Sequence, residues 1–371
     1  MSRKKVVVVG GGYAGLMAAA RLVNSGHDVT VVDPRDTFSD RVRLHRAAVG
    51  DGPSERAWAD MLPAGVARLQ GLARDWQQGA VQVETASERR WLRADAVVLA
   101  TGSRGKDWAG WPSLDGGAVQ ALQRSTGPVA VVGGGATGTE LATVLAEAGR
   151  QVTLVTGGAH PDWSEAGRRL RDDWLRHLGG EVVDAHALGF GAGAVNTDTG
   201  DIVAEVVVPC IGFSTSPVGR EWGLPLAPDG RVAAASDLSV PGHPGLFVAG
   251  DVGAPLELPW VTPGCATAMP MGAHAAVSVD AWLSGRPTAP FSFGWFARQV
   301  DIGRRRGLMQ ALTPTGTPTW AHAGFGPGLV RALLLAVVPR MARWEGSAGR
   351  QLMVWNPGPA PMNAQLTQEV A

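Results

Sequence analysis

The chain has 371 residues, of which 45% are hydrophobic and 18% charged, as in a soluble globular protein of two or three domains. The 33 basic and 33 acidic side chains cancel, so the charge balance gives no reason to expect nucleic acid as a partner. The two cysteines form no C-x-x-C pair, which argues against a disulfide framework and a dithiol active site. The first apolar run is too short for a signal peptide, so we expect a cytoplasmic location.

The first predicted element is a buried parallel strand, VVVV, which runs into the spaced glycines Gly10, Gly12 and Gly15. An Ala-rich amphipathic helix and a second strand, DVTVV, follow, and Asp33 stands at the tip of that strand. In such a unit the three glycines allow, in order, a tight turn, close approach of a pyrophosphate, and close packing of helix on strand. The helix N-terminus attracts phosphate, and the acid accepts hydrogen bonds from a ribose diol. The segment therefore predicts a dinucleotide site.

The connection at residues 34–60 carries several basic side chains. For most of them we expect a solvated surface, and the alternative is that one or two approach the bound cofactor. These side chains are Arg35, Arg41, Arg43, His45 and Arg46. Residues 65–92 alternate as short strands and predict an antiparallel meander beside the first sheet. A buried strand then ends in Ala100, Thr101 and Gly102, whose small size leaves space for a bulky cofactor.

Residues 128–156 repeat the opening unit as strand, glycine turn, helix and strand. The repeated glycines are Gly133, Gly135 and Gly138. The position that matches Asp33 holds Thr156, which cannot select a ribose diol as a carboxylate does. A second dinucleotide site is expected, its preference for NADH or NADPH is open, and loss of the site is the alternative. Arg168 and Arg169 are either surface charges, which we favour, or contacts to a 2′-phosphate.

A third strand, PGLFVAGDVG, ends in Gly250 and Asp251, where an acid can accept a hydrogen bond from a hydroxyl group. The helix that follows contains Pro270, which should kink it or delay its start. Cys210 and Cys265 are expected to be small buried thiols. The alternative for Cys265, near the helix entry, is contact with the cofactor.

The pattern changes after residue 290. FSFGWFARQVDIGRRRGLMQA reads as strands, and GPGLVRALLLAVVPRMARW reads as an apolar helix with basic flanks that stops at Pro339. Its apolar run, Leu329 to Val338, is half the length of a membrane span. We expect it to pack in the core or in a homodimer, with a membrane surface as the alternative.

Two G-x-G-x-x-G units, an A-T-G strand end and a late G-D strand end occur here in a fixed order. The chain thereby resembles the FAD-dependent pyridine nucleotide oxidoreductases, and within them the type II NADH dehydrogenase and apoptosis-inducing-factor-like group. The stretches that carry the resemblance are GGGYAGLMAA, DPRDTFSDRVRLH, VVGGGATGTELA, LFVAGDVG and MPMGAHAA. It implies an α/β fold of two Rossmann-like, three-layer ββα dinucleotide-binding domains and a small C-terminal α+β region. We expect an FAD domain (1–110 with 237–290), an NAD(P)H domain (111–236) and an interface region (291–371).

The resemblance also implies site residues. FAD would be bound by Gly10, Gly12, Gly15, Asp33, Ala100, Thr101, Gly102, Gly250 and Asp251, with Asp251 on the ribitol. NADH or NADPH would be bound by Gly133, Gly135, Gly138 and Thr156. Glu140 matches a family glutamate near the nicotinamide and the flavin, and the alternative is an ordinary first-turn acid of its helix. The scattered histidines have no zinc-like spacing, so no metal is expected.

Two segments depart from the family pattern. Thr156 replaces the usual acid, and Ala266 and Pro270 stand where a quinone-facing A-Q-x-x-x-Q would place glutamines. The expected function is transfer of hydride from NAD(P)H to flavin and of electrons to a quinone or another small acceptor, in the cytoplasm or at the inner membrane face. The alternatives are a flavoenzyme that oxidises a small molecule directly, with a vestigial nicotinamide site, and a flavin-binding redox sensor. A sulfide:quinone reductase would require both cysteines to face the flavin.

Overall fold

The structure, a computed structural model, describes residues 3–361. The first part of the chain forms β1 (Lys5–Val9), α1 (Tyr13–Asn24), β2 (Asp28–Asp33), β3 (Phe38–Ser39), α2 (Leu44–Ala48), β4 (Glu55–Arg56), α3 (Trp58–Met61), β5 (Ala67–Gln70), β6 (Leu72–Gln77), β7 (Ala80–Glu84), β8 (Arg89–Arg93), β9 (Ala96–Leu99) and β10 (Ser103–Gly105). The middle part forms α4 (Ala118–Arg124), β11 (Val129–Val132), α5 (Ala136–Glu147), β12 (Val152–Val155), α6 (Glu165–His177), β13 (Glu181–Val183), β14 (Ala187–Gly191), β15 (Ala194–Thr197), β16 (Gly200–Val203), β17 (Val206–Pro209) and β18 (Phe213–Thr215). The remainder forms α7 (Val218–Glu221), β19 (Val232–Ala234), β20 (Leu246–Val248), β21 (Gly253–Pro255), α8 (Cys265–Leu283), β22 (Ala297–Asp301), β23 (Gly307–Leu312), β24 (Pro318–Gly324), α9 (Phe325–Val337) and α10 (Met341–Ala348).

The first sheet has five parallel strands in the order β20-β9-β1-β2-β5. Its central strand β1 is covered on both faces, which explains why four consecutive valines can be buried there. The chain leaves this sheet after β9 and returns to it only with β20. The carboxyl ends of β1, β2, β9 and β20 therefore meet at one edge, where ligands of such sheets bind.

The second sheet repeats this arrangement with four parallel strands in the order β13-β12-β11-β17. Each parallel sheet is accompanied by a three-stranded antiparallel sheet, β6-β7-β8 for the first and β14-β15-β16 for the second. Helices, a parallel sheet and an antiparallel sheet are the three layers of the predicted α/β class, which is confirmed. The expected meander is wrong in one detail, because β5 pairs in parallel with β2 and only the strands from residue 72 onward form the meander.

Helix α8 runs without interruption from Cys265 to Leu283, with Pro270 inside it. Of the two expected effects of Pro270, the late start is therefore wrong, because the proline removes one donor and the remaining turns hold the helix; a kink stays a prediction. Contact between α8 and α1 is extremely close, because a Cβ on Gly272 would lie 2.1 Å from the carbonyl oxygen of Ala14. This crossing brings the N-terminal ends of both helices to the same edge of the first sheet.

The C-terminal region is an antiparallel sheet, β22-β23-β24, followed by α9 and α10. Pro339 ends α9 as expected, but a 3-10 turn at Val338–Arg340 leads directly into α10. The region packs across both halves of the molecule, since β22 contacts α5 and α10 contacts α1.

Candidate active site

The first glycine turn has three glycines under different constraints. Gly10 has φ +102°, and a Cβ there would lie 2.3 Å from the carbonyl oxygen of Ala100. A Cβ on Gly15 would lie 1.9 Å from the carbonyl oxygen of Gly10. A Cβ on Gly12, by contrast, would meet no protein atom within 4 Å. Two glycines are therefore needed by the fold itself, and the third leaves open space at the N-terminus of α1.

Asp33 ends β2 and is only 2% exposed. Its Oδ2 accepts a hydrogen bond from the backbone N–H of Gly11 at 2.8 Å, and Arg35 donates to both carboxylate oxygens, at 2.9 and 2.7 Å. Burial by itself raises the pKa of Asp33, but the Arg35 guanidinium outweighs it and holds that pKa below the ordinary value. A ribose diol that reaches Asp33 would share the carboxylate with Arg35.

Asp251 lies on the same edge of the sheet, beyond β20. Its Oδ1 accepts the N–H of Gly264 at 2.8 Å, and its Oδ2 accepts the hydroxyl of Ser103 at 2.7 Å. Arg41 lies 4.0 Å away and pairs with Asp115 at 2.9 Å. These contacts fix the Asp251 carboxylate at the entrance to α8.

One cleft of about 1210 Å³ joins these elements. The predicted residues Gly10, Gly12, Asp33, Ala100, Thr101, Gly102, Gly250 and Asp251 all line it, as do Arg35, Arg41 and His45. Gly15 does not, because it packs against the backbone of Gly10. The hydroxyl oxygen of Thr101 is buried without a hydrogen-bond partner among the described residues, so this side chain is available to a ligand.

Glu140 lines the same cleft within a buried network of charges. Its Oε1 accepts hydrogen bonds from Arg331 at 2.6 Å and from the backbone N–H of Asp301 at 3.0 Å. His45 lies 3.7 Å from Oε2 of Glu140 and 2.8 Å from Oδ2 of Asp301, which Arg46 also contacts. Glu140 is the fifth residue of α5, so the alternative of a first-turn acid is wrong.

Three members of this network, His45, Glu140 and Asp301, bring their ligand atoms within 4.8 Å of one another, as a metal site would require. Two guanidinium groups already bind these carboxylates. Arg331 is buried, which lowers its pKa, but Glu140 and Asp301 raise it above the ordinary value. Burial raises the pKa of Asp301, yet its bonds to His45 and Arg46 bring it below the ordinary value. The arrangement is therefore a compensated ion-pair network.

The second glycine turn repeats the backbone of the first. Gly133 has φ +122°, with its Cβ position 2.2 Å from the carbonyl oxygen of Cys210. The Cβ position of Gly138 is 1.9 Å from the carbonyl oxygen of Gly133. A separate cleft of about 440 Å³ lies beside this turn and is lined by Gly133, Thr156 and their neighbours.

Gly135, the counterpart of Gly12, lines the large cleft, but two side chains lie close above it. A Cβ there would lie 3.0 Å from Nε2 of His160 and 3.4 Å from Oδ2 of Asp162. The same Asp162 oxygen accepts the N–H of Ala136 at 3.3 Å, and Arg298 pairs with the carboxylate at 2.9 Å. The N-terminus of α5, where a pyrophosphate would bind, therefore holds a carboxylate of this chain.

Both cysteines are free and line the large cleft. Burial raises the pKa of Cys210 and that of Cys265 to about 12. Both are therefore thiols at neutral pH, whereas redox-active cysteines act as thiolates.

Helix α9 has one side in the cleft and one side in solvent. Leu334 and Leu335 line the cleft, as does Val338 in the 3-10 turn that follows. Phe325, Leu329 and Leu333 are 66%, 62% and 61% exposed, so the expectation of core packing is wrong for this side. The helical stretch Phe325–Ala348 is long and apolar enough to cross a membrane, judged by length and composition alone. In its most apolar segment of 18 residues, 28% of the residues are buried.

Comparison with known proteins gives the family. A family model described as pyridine nucleotide-disulphide oxidoreductase matches residues 4–278, well over half of the chain. The chain belongs to the pyridine nucleotide-disulphide oxidoreductase family. The resemblance inferred from the motifs is thereby confirmed, and this oxidoreductase uses FAD and NAD(P)H.

Individual relatives of the oxidoreductase are more distant. Ferroptosis suppressor protein 1 of Taeniopygia guttata is 26% identical over 337 residues, which cover 82% of this chain and 88% of the relative. The sulfide:quinone oxidoreductase of Aquifex aeolicus superimposes with a TM-score of 0.74 at 17% identity, covering 92% of each chain. NDH2 of Plasmodium falciparum in complex with NADH superimposes with a TM-score of 0.73 at 12% identity, covering 95% of this chain and 100% of the other. These structural likenesses show a common fold.

FAD fits the first turn of the oxidoreductase on this structure's own features. The open space over Gly12 lies at a helix N-terminus, as a pyrophosphate requires. Asp33 and Asp251 provide carboxylates at the two ends of that edge, and the unpartnered Thr101 hydroxyl lies in the cleft.

Four residues that contact Glu140 or the second turn and its strand ends were missed by the sequence reasoning: Asp162, Asp184, Asp301 and Arg331. Asp184 accepts the hydroxyl of Thr156 at 2.8 Å. Asp184 carried a signal, because it follows the short strand EVV as Asp33 follows DVTVV. The other three carried none, since a loop acid, a strand-end acid and a helical arginine are usually surface charges. Only the packing of β22 and α9 against α5 brings Asp301 and Arg331 to Glu140.

Proposed function

We propose that the enzyme takes hydride from NAD(P)H onto FAD and passes the electrons to a quinone that enters along α9. Helix α9 carries this proposal, because the same helix presents Leu334 and Leu335 to the cleft and Phe325, Leu329 and Leu333 to solvent. An apolar acceptor that meets the exposed side chains would lie on the same helix as the apolar side chains that line the cleft. This arrangement also favours a peripheral position at a membrane over a wholly cytoplasmic one.

FAD, when bound, supplies the chemistry of accepting hydride and passing electrons on. The chain supplies position and charge. Gly12 leaves room for the pyrophosphate, and Asp33 and Asp251 hold the two ends. We assign Glu140 to the nicotinamide end of the cleft, where Arg331 and the N–H of Asp301 fix its carboxylate. Burial raises the pKa of both cysteines, which disfavours the thiolates that a sulfide-oxidising dithiol mechanism needs.

Anaerobic stopped-flow absorbance of the FAD-loaded enzyme tests this proposal. NADH or NADPH should bleach the flavin within seconds, and a water-soluble quinone should restore the oxidised spectrum. An enzyme that neither nucleotide bleaches would not be an NAD(P)H-dependent reductase of this kind.

A second candidate is a flavoenzyme that oxidises a small molecule directly, and one observation favours it. His160 and Asp162 cover Gly135 and the N-terminus of α5, so a pyrophosphate must displace a carboxylate of the chain. Arg298 and the buried ring of Trp163, which donates to the carbonyl of Gly134 at 2.8 Å, hold this loop in place. In this candidate the second nucleotide site is vestigial.

Asp162→Ser separates the two candidates, with Asp173→Ser as a control for loss of one exposed acid on α6. If the loop only restrains nucleotide entry, NADH should bleach the flavin of Asp162→Ser at least about tenfold faster than that of the wild type. The bleaching rate of Asp173→Ser should match the wild type. If neither the wild type nor Asp162→Ser is bleached by a nucleotide, direct oxidation becomes the better function.

A further inference from the structure

We propose that Asp184 makes the second nucleotide site selective for NADH over NADPH, an inference that rests on the proposed use of this site by a nicotinamide nucleotide. Thr156 stands where an acid is usual, and the acid at the end of the neighbouring strand takes over its role. Asp184 would bind the adenine-side ribose diol of NADH and repel the 2′-phosphate of NADPH.

Strand register places the two residues side by side. β12 and β13 run in parallel with Val155 opposite Val183, and the N–H of Thr156 donates to the carbonyl of Val183 at 3.0 Å. Asp184 is the first residue after β13. Its carboxylate therefore emerges at the same sheet edge as Thr156, one strand further from the sheet centre.

Hydrogen bonds hold the Asp184 carboxylate at that edge. Its Oδ1 accepts the Thr156 hydroxyl at 2.8 Å and the N–H of Gly158 at 2.6 Å. Within residues 3–361 no protein donor uses Oδ2, and the residue is exposed. The Thr156 and Gly158 bonds lower the pKa of Asp184, so it is an anion at neutral pH. One oxygen is thus positioned by the protein and the other is free for a diol.

The adjoining cleft offers a phosphate little compensation. Its lining includes Thr156, Gly157 and His186, and none of the described residues that line it is an arginine or a lysine. Arg169 points away, paired with Glu165 on the exposed side of α6. Arg168 does not line the cleft either, although its charge contributes slightly to lowering the pKa of Asp184. A dianionic 2′-phosphate would therefore face a fixed carboxylate, and the nearby charges of Arg168 and His186 already act on that carboxylate.

The test uses the FAD-loaded enzyme and two probes of the adenosine half, ADP-ribose and 2′-phospho-ADP-ribose, in titration calorimetry. The wild type should bind ADP-ribose at least about tenfold more tightly. Asp184→Asn should reduce that ratio about tenfold, and adding Thr156→Asp to Asp184→Asn should restore it. Asp173→Asn is the control, because it removes an acid from the same half of the molecule without touching Thr156, and it should keep the wild-type ratio.

Three outcomes would overturn the inference: an unchanged ratio in Asp184→Asn, equal or tighter wild-type binding of the phosphorylated probe, or no binding of either probe. Stopped-flow reduction by NADH and NADPH, run in parallel, reports on the proposed function separately. Selective binding of ADP-ribose by an enzyme that NADH fails to reduce would support the role of Asp184 and refute NADH oxidation.

Discussion

At the scale of single residues, glycine serves two separate purposes in the first turn. At Gly15 the backbone of Gly10 occupies the space that a Cβ would need. At Gly12 that space is empty. The absence of a Cβ at Gly15 is required for packing. Its absence at Gly12 matters only when a ligand fills the space.

Replacing each glycine with alanine should separate the two purposes. Gly15→Ala should destabilise the protein by about 1–3 kcal/mol or more, because the added methyl overpacks the turn. Gly12→Ala should leave the free energy of unfolding of the apoprotein within about 0.5 kcal/mol but reduce FAD affinity at least about tenfold. Urea unfolding and FAD titration measure both. Equal losses of stability in the two variants would contradict this division.

Asp33 gives a prediction for pH. Its pKa in the folded protein lies below the ordinary 3.8, so its contribution to stability is fully present above about pH 5 and is lost as pH falls through the folded value. Wild type should therefore exceed Asp33→Asn in melting temperature near neutral pH, and the difference should shrink below pH 3.8. Calorimetry of both apoproteins from pH 7 to about 2.5 checks the sign. A difference that grows toward acid would show that Asp33 is not stabilised as an anion.

At the scale of elements, α9 is the clearest departure from a soluble surface. Three large apolar side chains a turn apart, at Phe325, Leu329 and Leu333, are exposed, while the basic Arg331 points inward to Glu140. Such a face on a helix that also lines a cleft is typical of a contact with an apolar phase or partner.

We predict that the wild type cosediments with anionic lipid vesicles and that replacing Phe325, Leu329 and Leu333 with serine lowers the bound fraction at least about fivefold. The variant should remain folded, because these side chains are largely in solvent. A matched control replaces Leu188 and Val203, which are equally exposed on the β14–β16 sheet, and should bind as wild type does. A wild type that ignores vesicles but forms a dimer that the serine variant disrupts would identify the face as a subunit contact.

At the scale of the whole molecule, the C-terminal region connects the two halves that contain the parallel sheets. Asp301 and Arg331 join it to α5, and Glu345 on α10 joins it to Arg21 on α1. The Arg21–Glu345 contact is 2.6 Å long and fully enclosed, and Glu345 also accepts the N–H groups of Leu352 and Met353.

Removing one partner of that enclosed pair should be costly. Glu345→Ala leaves Arg21 buried without its counter-ion, and we expect a loss of about 3–5 kcal/mol in the free energy of unfolding. Glu165→Ala removes the partner of Arg169 on the exposed side of α6 and should cost at most about 1 kcal/mol. Denaturant unfolding of the two variants makes the comparison, and similar losses would show that the enclosed pair does not anchor the C-terminal region.

The sequence by itself determined whatever depends on local pattern. Consecutive valines, glycine spacing and an acid at a strand tip follow from the geometry of one βα unit, so both turns and the fold class could be predicted. FAD binding at the first turn stays a prediction. The apolar helix that ends at Pro339 could also be predicted, but which of its sides is exposed could not. A hydropathy pattern cannot say which neighbour covers a helix.

Only the tertiary structure decided how the second turn differs from the first. The two turns share their spacing, yet Gly12 is open and Gly135 lies under His160 and Asp162. Likewise Thr156 stands where an acid was expected, and Asp184 reaches the same edge of the second sheet from the end of β13. The physical reason is that a binding site is filled by side chains from neighbouring strands and loops, and their distances through space are not encoded in the spacing of any one motif.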